Sequence, residues 1–196
     1  MMPKTSVDMT ASMKNTPMPT LSGMATQSLA NGRARNAVNE PQKQLAAALG
    51  RIPSGLFVVT VRRGESETGM LASWVQQCSF DPPQITLALR RDREVNAWLA
   101  PRVAFTVNIL EAGQTDMIAH FGRGFAPGEP AFTDVEVERP DGVAPVLAEA
   151  LAYLECLLVE RHPAGDHDLC IARVVGGRVL GEGQPMVHVR KSGFHY

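Results

Sequence analysis

Short runs of β-branched and apolar residues, separated by turn signals, most restrict what this sequence can fold into. Such runs occupy residues 56–61, 85–89, 103–110 and 169–175. β-Branched and aromatic residues favour strands, whereas the Gly, Pro and Asp residues between the runs favour turns. Because helical patterns occur only sporadically between them, the sequence predicts a mainly β, antiparallel barrel rather than a parallel sheet covered by helices.

The remaining segments complete the predicted order of elements. Residues 69–80 are predicted to form one long second strand, which Asp81-Pro82-Pro83 ends because proline cannot donate to a sheet ladder. Residues 151–160 are predicted as a strand, although their propensity also permits a helix, and a turn at residues 162–166 follows. The other predicted elements are a strand at 186–189 and helices at 39–50, 93–99 and 114–121.

The composition fits one globular domain in a chain of 196 residues. Its 19 basic and 20 acidic residues leave a net charge of −1, which gives no electrostatic reason to expect binding to nucleic acid or to an anionic membrane. No run approaches the ~18 consecutive apolar residues of a membrane-spanning helix. Cys78, Cys156 and Cys170 form no CxxC pair, which disfavours a disulfide scaffold or a cysteine zinc site. We therefore expect a cytoplasmic protein.

Residues 1–40 differ from the rest of the chain. No Phe, Trp or Tyr precedes Phe57, and Ser, Thr and Met are frequent. Such a segment buries too little apolar surface to offset its ordering entropy, so we predict a disordered arm at residues 1–40 and a folded domain at residues 41–196. A transit peptide is the alternative, although such peptides usually carry more arginine and an amphipathic face.

The usual catalytic motifs are absent from the sequence. It contains no GxSxG, GxxxxGK, HExxH or GxGxxG. The five histidines lack the spacing of metal ligands, and no carboxylate pair has a spacing suited to acid–base hydrolysis. Any chemistry must therefore come from a bound group or from an unfamiliar arrangement of side chains.

The predicted second strand carries small and polar residues where a core strand would carry Val and Ile. Gly69, Ala72 and Ser73 leave room for a ligand to lie against the backbone. The residues that follow would line a flat aromatic ligand and hydrogen-bond its edge: Trp74, Gln76, Gln77 and Cys78. A role in the core is the alternative for Trp74, and Cys78 is predicted to be a small buried residue.

Three arginines follow in the segment Arg90-Arg91-Asp92-Arg93, at the end of the predicted third strand. Adjacent like charges repel each other, so a solvated basic turn is one interpretation. A phosphate site is the other, because the forked guanidinium matches phosphate oxygens. The spacing alone leaves both interpretations open.

Several of these segments, in this order, resemble landmarks of the flavin reductase-like family. Residues 55–60 (GLFVVT) resemble its first strand, and residues 69–83 (GMLASWVQQCSFDPP) resemble its long flavin-binding strand with the DPP terminator. Residues 151–156 (LAYLEC) and 165–167 (GDH) resemble two later landmarks. With the final KSGFHY, residues 41–196 are most similar to the C-terminal flavin reductase domain of diflavin flavoproteins (flavodiiron proteins).

This resemblance implies an FMN-binding split β-barrel with Greek-key connections and a few peripheral helices, assembled as a homodimer with FMN near the interface. FAD is the less favoured flavin. The implied cofactor contacts are Leu71, Ala72, Ser73 and Trp74 at the ribityl chain and ring, Gln76, Gln77 and Cys78 at the ring edge, and Arg90, Arg91, Asp92 and Arg93 at the phosphate. Many relatives have Thr where this chain has Leu71, and Asn or Thr where it has Ser73, so at least one hydrogen bond to the cofactor must differ.

The implied activity is NAD(P)H:flavin oxidoreduction, with a hydride passing from nicotinamide C4 to flavin N5. His167 would lie beside the nicotinamide or the flavin face, and a turn histidine bonded to local backbone is the alternative. The flavin carries the chemistry, so no protein acid–base set is needed. NADH and NADPH both stay open as donors, and reduced flavin would pass to an acceptor or a partner oxygenase. Two other functions remain: a non-catalytic FMN-binding electron-transfer module serving a partner protein, and a split-barrel relative that binds haem or another ligand.

Overall fold

The computed structural model describes residues 39–195, so nearly all of the predicted arm at residues 1–40 lies outside the described residues. The helices are α1 (Glu40–Gly50), α2 (Glu94–Trp98) and α3 (Thr115–Gly122). The strands are β1 (Ser54–Gly55), β2 (Phe57–Arg63), β3 (Ser66–Ala72), β4 (Val75–Phe80), β5 (Pro83–Arg90), β6 (Ala104–Ile109), β7 (Val137–Glu138), β8 (Val146–Leu147), β9 (Ala152–Ala164), β10 (His167–Val179) and β11 (Val187–His188).

The three helices form where the sequence predicts them. At the start of α1, Asn39 Oδ1 accepts a hydrogen bond from the Gln42 N–H at 3.0 Å, and Pro41 lies in the first turn. This cap satisfies a backbone donor that has no partner inside the helix. Within residues 39–195, none of the helices has the length and apolar character needed to cross a membrane.

Seven antiparallel strands form one sheet in the order β3-β2-β6-β9-β10-β5-β4. Its two edge strands, β3 and β4, are consecutive in the chain and are joined only by Ser73 and Trp74. The sheet must therefore curl until its two edges approach each other, which makes a barrel. The predicted mainly β barrel is confirmed.

The single long strand predicted at residues 69–80 is wrong, because the chain changes partners in the middle of it. β3 pairs with β2, whereas β4 pairs with β5. At the break, the Trp74 carbonyl accepts a hydrogen bond from the Ala88 N–H at 3.0 Å. The change of partner depends on how the barrel closes, and the local run of residues carries no sign of it.

The hairpin between β9 and β10 is tighter than the turn predicted at residues 162–166. β9 is a strand, as predicted, but it continues to Ala164, and Pro163 pairs with Asp168. Only Gly165 and Asp166 form the turn, and Gly165 has a φ of 63°, which glycine adopts without strain. As a result His167 pairs with the last residue of β5, and the hairpin tip lies beside the arginine segment.

β2 carries buried valines on both faces because both faces are covered. Val58, Val59 and Val61 are all fully buried. Val59 and Val61 belong to the core inside the barrel, whereas Val58 packs in a second cluster with Phe121 of α3. A strand buried on both faces loses the alternation of a half-exposed strand. This packing holds α3 against the barrel wall.

The three cysteines lie in different environments. Cys156 and Cys170 are buried in the barrel core, where desolvation raises the pKa of Cys156 to about 12 and also raises the pKa of Cys170. Cys78 is exposed, contrary to the prediction that it is buried. It is the extra residue where β4 shifts register against β5, and such a residue on an edge strand has no partner to cover it.

Candidate flavin site

A cavity of about 340 Å³ opens beside β3, between α3 and the start of β10. Its volume lies in the range of about 300–1,000 Å³ that is usual for small-molecule sites. The residues that line it are Leu56, Met70, Leu71, Ala72, Ser73, Ala88, Arg90, Arg93, Ile118, Gly122, His167 and His188. Most of the wall is apolar, and its permanent positive charges are those of Arg90 and Arg93.

The position of β3 at the edge of the sheet gives the cavity backbone hydrogen-bonding groups. Because β3 pairs only with β2, its outer row of N–H and C=O groups has no strand beside it. Gly69 permits α3 to pack closely against this strand, since a Cβ at that position would lie 3.0 Å from Phe121 Cε1. The ligand space is therefore bounded by an open strand edge on one side and a closely packed helix on the other.

The three arginines after β5 differ in how their charges are compensated. Arg90 forms a two-pronged ion pair with Asp92, at 2.9 and 2.7 Å. Arg91 Nε donates to Asp168 Oδ1 at 2.9 Å. Arg93 Nη1 donates to the Arg123 carbonyl at 3.3 Å and meets no carboxylate within residues 39–195. Of the two arginines that line the cavity, Arg93 is therefore the one whose charge is not compensated by a carboxylate of residues 39–195.

Asp168 anchors the arginine segment to the barrel. Its carboxylate accepts hydrogen bonds from Asn96 Nδ2 at 3.0 Å and from Arg91 at 2.9 Å, and Arg161 lies 3.8 Å away. The bonds from Asn96 and Arg91 lower the pKa of Asp168 below its usual value. One carboxylate therefore joins α2 and the arginine segment to the strand that carries His167.

We expect the Asp168→Asn variant to be less stable than the parent chain at pH 7 and to lose less stability in acid. A carboxyl group whose pKa is lowered by folding contributes its full stabilisation above its unfolded pKa of about 3.9, and that contribution is lost as the pH falls from there through the lowered pKa of the folded state. Thermal unfolding at pH 7 and pH 3 measures this. A difference in melting temperature between parent and variant that is the same at both pH values would contradict the role of the charge.

His167 is buried in the cavity wall, and its partner is a carboxylate rather than local backbone. Its Nδ1 lies 2.7 Å from Asp166 Oδ1, and this hydrogen bond lowers the pKa of Asp166. The imidazole centroid is 4.7 Å from that of Trp74, whose ring in turn lies 4.8 Å from the Arg190 guanidinium. The Trp74 ring, tilted by 48° to the imidazole, packs against the side of His167 that faces away from the cavity.

The structure brings together six of the twelve predicted site residues, five of the eleven cofactor contacts and His167. Those lining the cavity are Leu71, Ala72, Ser73, Arg90, Arg93 and His167. Trp74 packs behind His167. Gln76 and Gln77 line a separate groove of about 430 Å³ with Phe57 and Val75. Cys78 is exposed, Arg91 is held by Asp168, and Asp92 is held by Arg90.

Several cavity residues carry no sequence signal for a ligand site. They are Leu56, Met70, Ala88, Ile118, Gly122 and His188. Ile118 lies on the apolar face of the predicted helix, which indicates burial and not ligand contact. His188 lies in the strand predicted at residues 186–189, but it reaches the cavity because β11 pairs with β1, with His188 opposite Ser54, a pairing that the local pattern does not indicate.

Residues 49–195 match the family model described as "Flavin reductase like domain". The chain belongs to the flavin reductase-like family. Diflavin flavoprotein A 1 of Synechocystis sp. strain PCC 6803 is 40% identical over 154 residues, which cover 78% of this chain and 27% of that protein. The chain spans between 25 and 30% of the length of the first curated relatives that it matches.

Solved structures of flavin reductases share the fold of this family member. The Streptomyces globisporus C-1027 NADH:FAD oxidoreductase SgcE6 is 28% identical, with a TM-score of 0.69 over 85% of this chain and 94% of that chain. BorF, the flavin reductase component of a bacterial two-component tryptophan halogenase, is 27% identical, with a TM-score of 0.67 over 77% and 94%. The predicted split-barrel fold is confirmed.

Proposed function

We propose that this chain is an FMN-binding NAD(P)H:flavin oxidoreductase. The observation that supports this most strongly is a single cavity that combines an apolar wall, the open edge of β3 and the uncompensated charge of Arg93. A flavin mononucleotide presents the matching groups: a planar ring with a polar edge, a hydroxylated chain and an anionic phosphate.

The residues around the cavity fit that cofactor part by part. Leu56, Met70 and Ile118 give a dry surface for a flat ring. The outer N–H and C=O groups of β3 would hydrogen-bond the polar ring edge. Arg93, with Arg90 beside it, would hold the phosphate through charge-assisted hydrogen bonds. Gly122, which has no side chain, leaves space between α3 and β3.

In the proposed reaction the protein binds and orients the flavin and the nicotinamide and excludes water from them. A bound flavin would supply the ring that accepts a hydride from NADH or NADPH. His167 would form the wall against which a nicotinamide stacks, with Trp74 packed behind it. The Asp166 carboxylate, 2.7 Å from Nδ1 of His167, would accept a hydrogen bond from a proton on that nitrogen and so orient the ring. We propose that the chain acts in the cytoplasm and delivers reduced flavin to an acceptor or a partner oxygenase.

Turnover of reduced nicotinamide tests the proposal. We expect the purified protein to quench FMN fluorescence with micromolar or tighter affinity, and to oxidise NADH or NADPH continuously when FMN is present. Continuous oxidation of NADH or NADPH requires that the nicotinamide reach the bound flavin ring. A protein that only carries electrons between partner proteins does not need such access. Tight FMN binding without turnover would instead favour an electron-transfer module, and a protein that ignores FMN would contradict any flavin function.

We also propose a homodimer formed through the end of the sheet where β4 and β5 meet. Phe80 is 89% exposed there, and Val175 of β10 is 50% exposed at the same end. Two large apolar side chains exposed at one end of the sheet support an interaction surface there. We expect the Phe80→Asp variant to sediment as a monomer and the parent chain as a dimer. A parent chain that sediments as a monomer at micromolar concentration would contradict the proposal.

A further inference from the structure

The guanidinium of Arg93 lies against the loop of residues 123–129, which follows α3 and which we term the α3 loop. Arg93 Nη1 donates a hydrogen bond to the Arg123 carbonyl at 3.3 Å, a contact between residues 30 positions apart in the chain. A long arginine side chain has many rotamers, and a guanidinium that is already held in place loses less conformational entropy when it binds an anion. The α3 loop therefore affects how well Arg93 can bind an anion.

Gly124 leaves the space that the Arg93 guanidinium occupies. A Cβ on Gly124 would overlap Arg93 Nη1, and the backbone at Gly124 has a φ of +73°, which glycine adopts without strain. The overlapping atom lies at the end of a flexible side chain. A larger residue at position 124 would therefore push the guanidinium aside rather than move the barrel.

Glu129 holds the α3 loop in this shape. Its carboxylate accepts hydrogen bonds from the Ala126 N–H at 2.9 Å and from Arg123 Nη1 at 2.6 Å. These bonds lower the pKa of Glu129, so the group stays ionised near neutral pH. The Arg123 guanidinium also lies 4.2 Å from the centroid of the Phe125 ring. The residue whose carbonyl faces Arg93 is thus held through its own side chain by a carboxylate and an aromatic ring.

The α3 loop is also packed against the wall of the flavin cavity. His120 Nε2 lies 2.8 Å from the Ala131 carbonyl oxygen, which joins α3 to the chain just beyond the loop. The ring centroids of Phe125 and Phe121 are 5.9 Å apart. Phe121 is buried against β3, where a Cβ on Gly69 would lie 3.0 Å from its Cε1. The loop therefore has a defined position relative to the strand that bounds the cavity.

We propose that Gly124 and Glu129 are positioning residues that hold Arg93 in place for the phosphate of the flavin. This inference rests on the proposed function, which assigns the phosphate to Arg93. Neither residue touches the ligand. Gly124 leaves room for the guanidinium, and Glu129 keeps the Arg123 carbonyl where Arg93 can donate to it.

The positioning role of Glu129 predicts a change opposite in sign to the effect of its charge. Removal of a carboxylate near an anion site would strengthen anion binding if Coulomb interactions alone decided the outcome. Loss of the loop's shape would instead weaken FMN binding, because Arg93 would no longer be held. The direction of the change therefore separates the two effects.

The Gly124→Ala and Gly128→Ala variants separate the contact with Arg93 from backbone strain. Gly128 lies in the same loop with a φ of +78°, and a Cβ on it would meet nothing within 4 Å. Both variants carry the strain of alanine at a positive φ, so Gly128→Ala is the matched control. We expect Gly124→Ala to weaken FMN binding on the order of tenfold, through a misplaced charged hydrogen bond. Gly128→Ala should bind FMN like the parent chain.

Riboflavin, which has no phosphate, should bind equally well to the parent chain and to both glycine variants. Titration of flavin fluorescence gives each affinity, and circular dichroism establishes that each variant keeps the barrel. An equal loss of FMN affinity in the two glycine variants, or an equal loss of FMN and riboflavin in Gly124→Ala, would overturn the role of Gly124.

The Glu129→Ala change, made in the parent chain and in an Arg93→Ala background, tests whether Glu129 acts through the arginine. We expect FMN affinity to fall on the order of threefold in the parent chain and to stay unchanged in the Arg93→Ala background, because the side chain to be positioned is missing there. Glu129→Gln, which keeps the shape of the side chain, should fall between Glu129→Ala and the parent chain.

An equal loss of FMN affinity in both backgrounds, or tighter binding of FMN by Glu129→Ala, would overturn the role of Glu129. Either result would leave the proposed function intact, since the parent chain would still bind FMN. A parent chain that binds neither FMN nor riboflavin would overturn the proposed function together with this inference.

Discussion

The Arg93→Ala variant should bind FMN on the order of 10–100 times more weakly than the parent chain. Arg93 is the arginine of the cavity without a carboxylate partner among residues 39–195, so its charge is available to the phosphate. Losing hydrogen bonds to a charged group costs about 1.5–3 kcal/mol, which corresponds to that range. Titration of flavin fluorescence measures it.

Riboflavin and a second arginine supply the controls. Riboflavin has no phosphate, so its affinity should change by less than about twofold in Arg93→Ala, because no charged hydrogen bond is lost. Arg91 is already paired with Asp168, and the Arg91→Ala variant should weaken FMN binding by no more than about threefold, as expected when a partly exposed ion pair is lost. Equal losses for FMN and riboflavin in Arg93→Ala would show that this arginine does not hold the phosphate.

The Ala88→Phe variant should abolish binding of FMN and riboflavin alike. Ala88 lines the cavity from β5, and a phenyl ring there would occupy the space that we assign to the flavin ring. The backbone bond from the Ala88 N–H to Trp74 does not involve the side chain and should persist. We expect affinity to fall at least about a hundredfold, or about 3 kcal/mol, for both ligands.

Ala112→Phe is the matched control, because Ala112 is exposed and lies outside the cavity. It should bind both flavins like the parent chain. Circular dichroism establishes whether each variant keeps the barrel. A folded Ala88→Phe variant that still binds riboflavin would show that the flavin ring lies elsewhere.

The sequence located the arginine segment and could not tell its members apart. Three cations within four residues predict either a solvated turn or a phosphate site, and the local spacing is the same in both cases. In the structure Asp92 neutralises Arg90 and Asp168 holds Arg91, whereas among the described residues Arg93 meets only a carbonyl. The partner of Arg91 lies 77 positions away in the chain, so only the folded barrel separates the roles.

The glutamines show a similar limit. Gln76 and Gln77 follow Ser73 closely, and a single extended strand would carry them along the same ligand. The strand instead breaks at Ser73 and Trp74, and the glutamines line a different groove. Sequence periodicity reports which face of a strand is polar, but it does not report which strand lies beside it.

By itself the sequence determined the strand-rich barrel, the capped first helix and the identity of the small residues along β3. These follow from side-chain shape and backbone geometry, which act between neighbours in the chain. The tertiary structure alone decided where β3 ends and β4 begins, which arginine keeps its charge free, and how His167 and His188 reach one cavity. Those outcomes depend on contacts between segments distant in the chain, which form only when the sheet curls and its two edges approach each other.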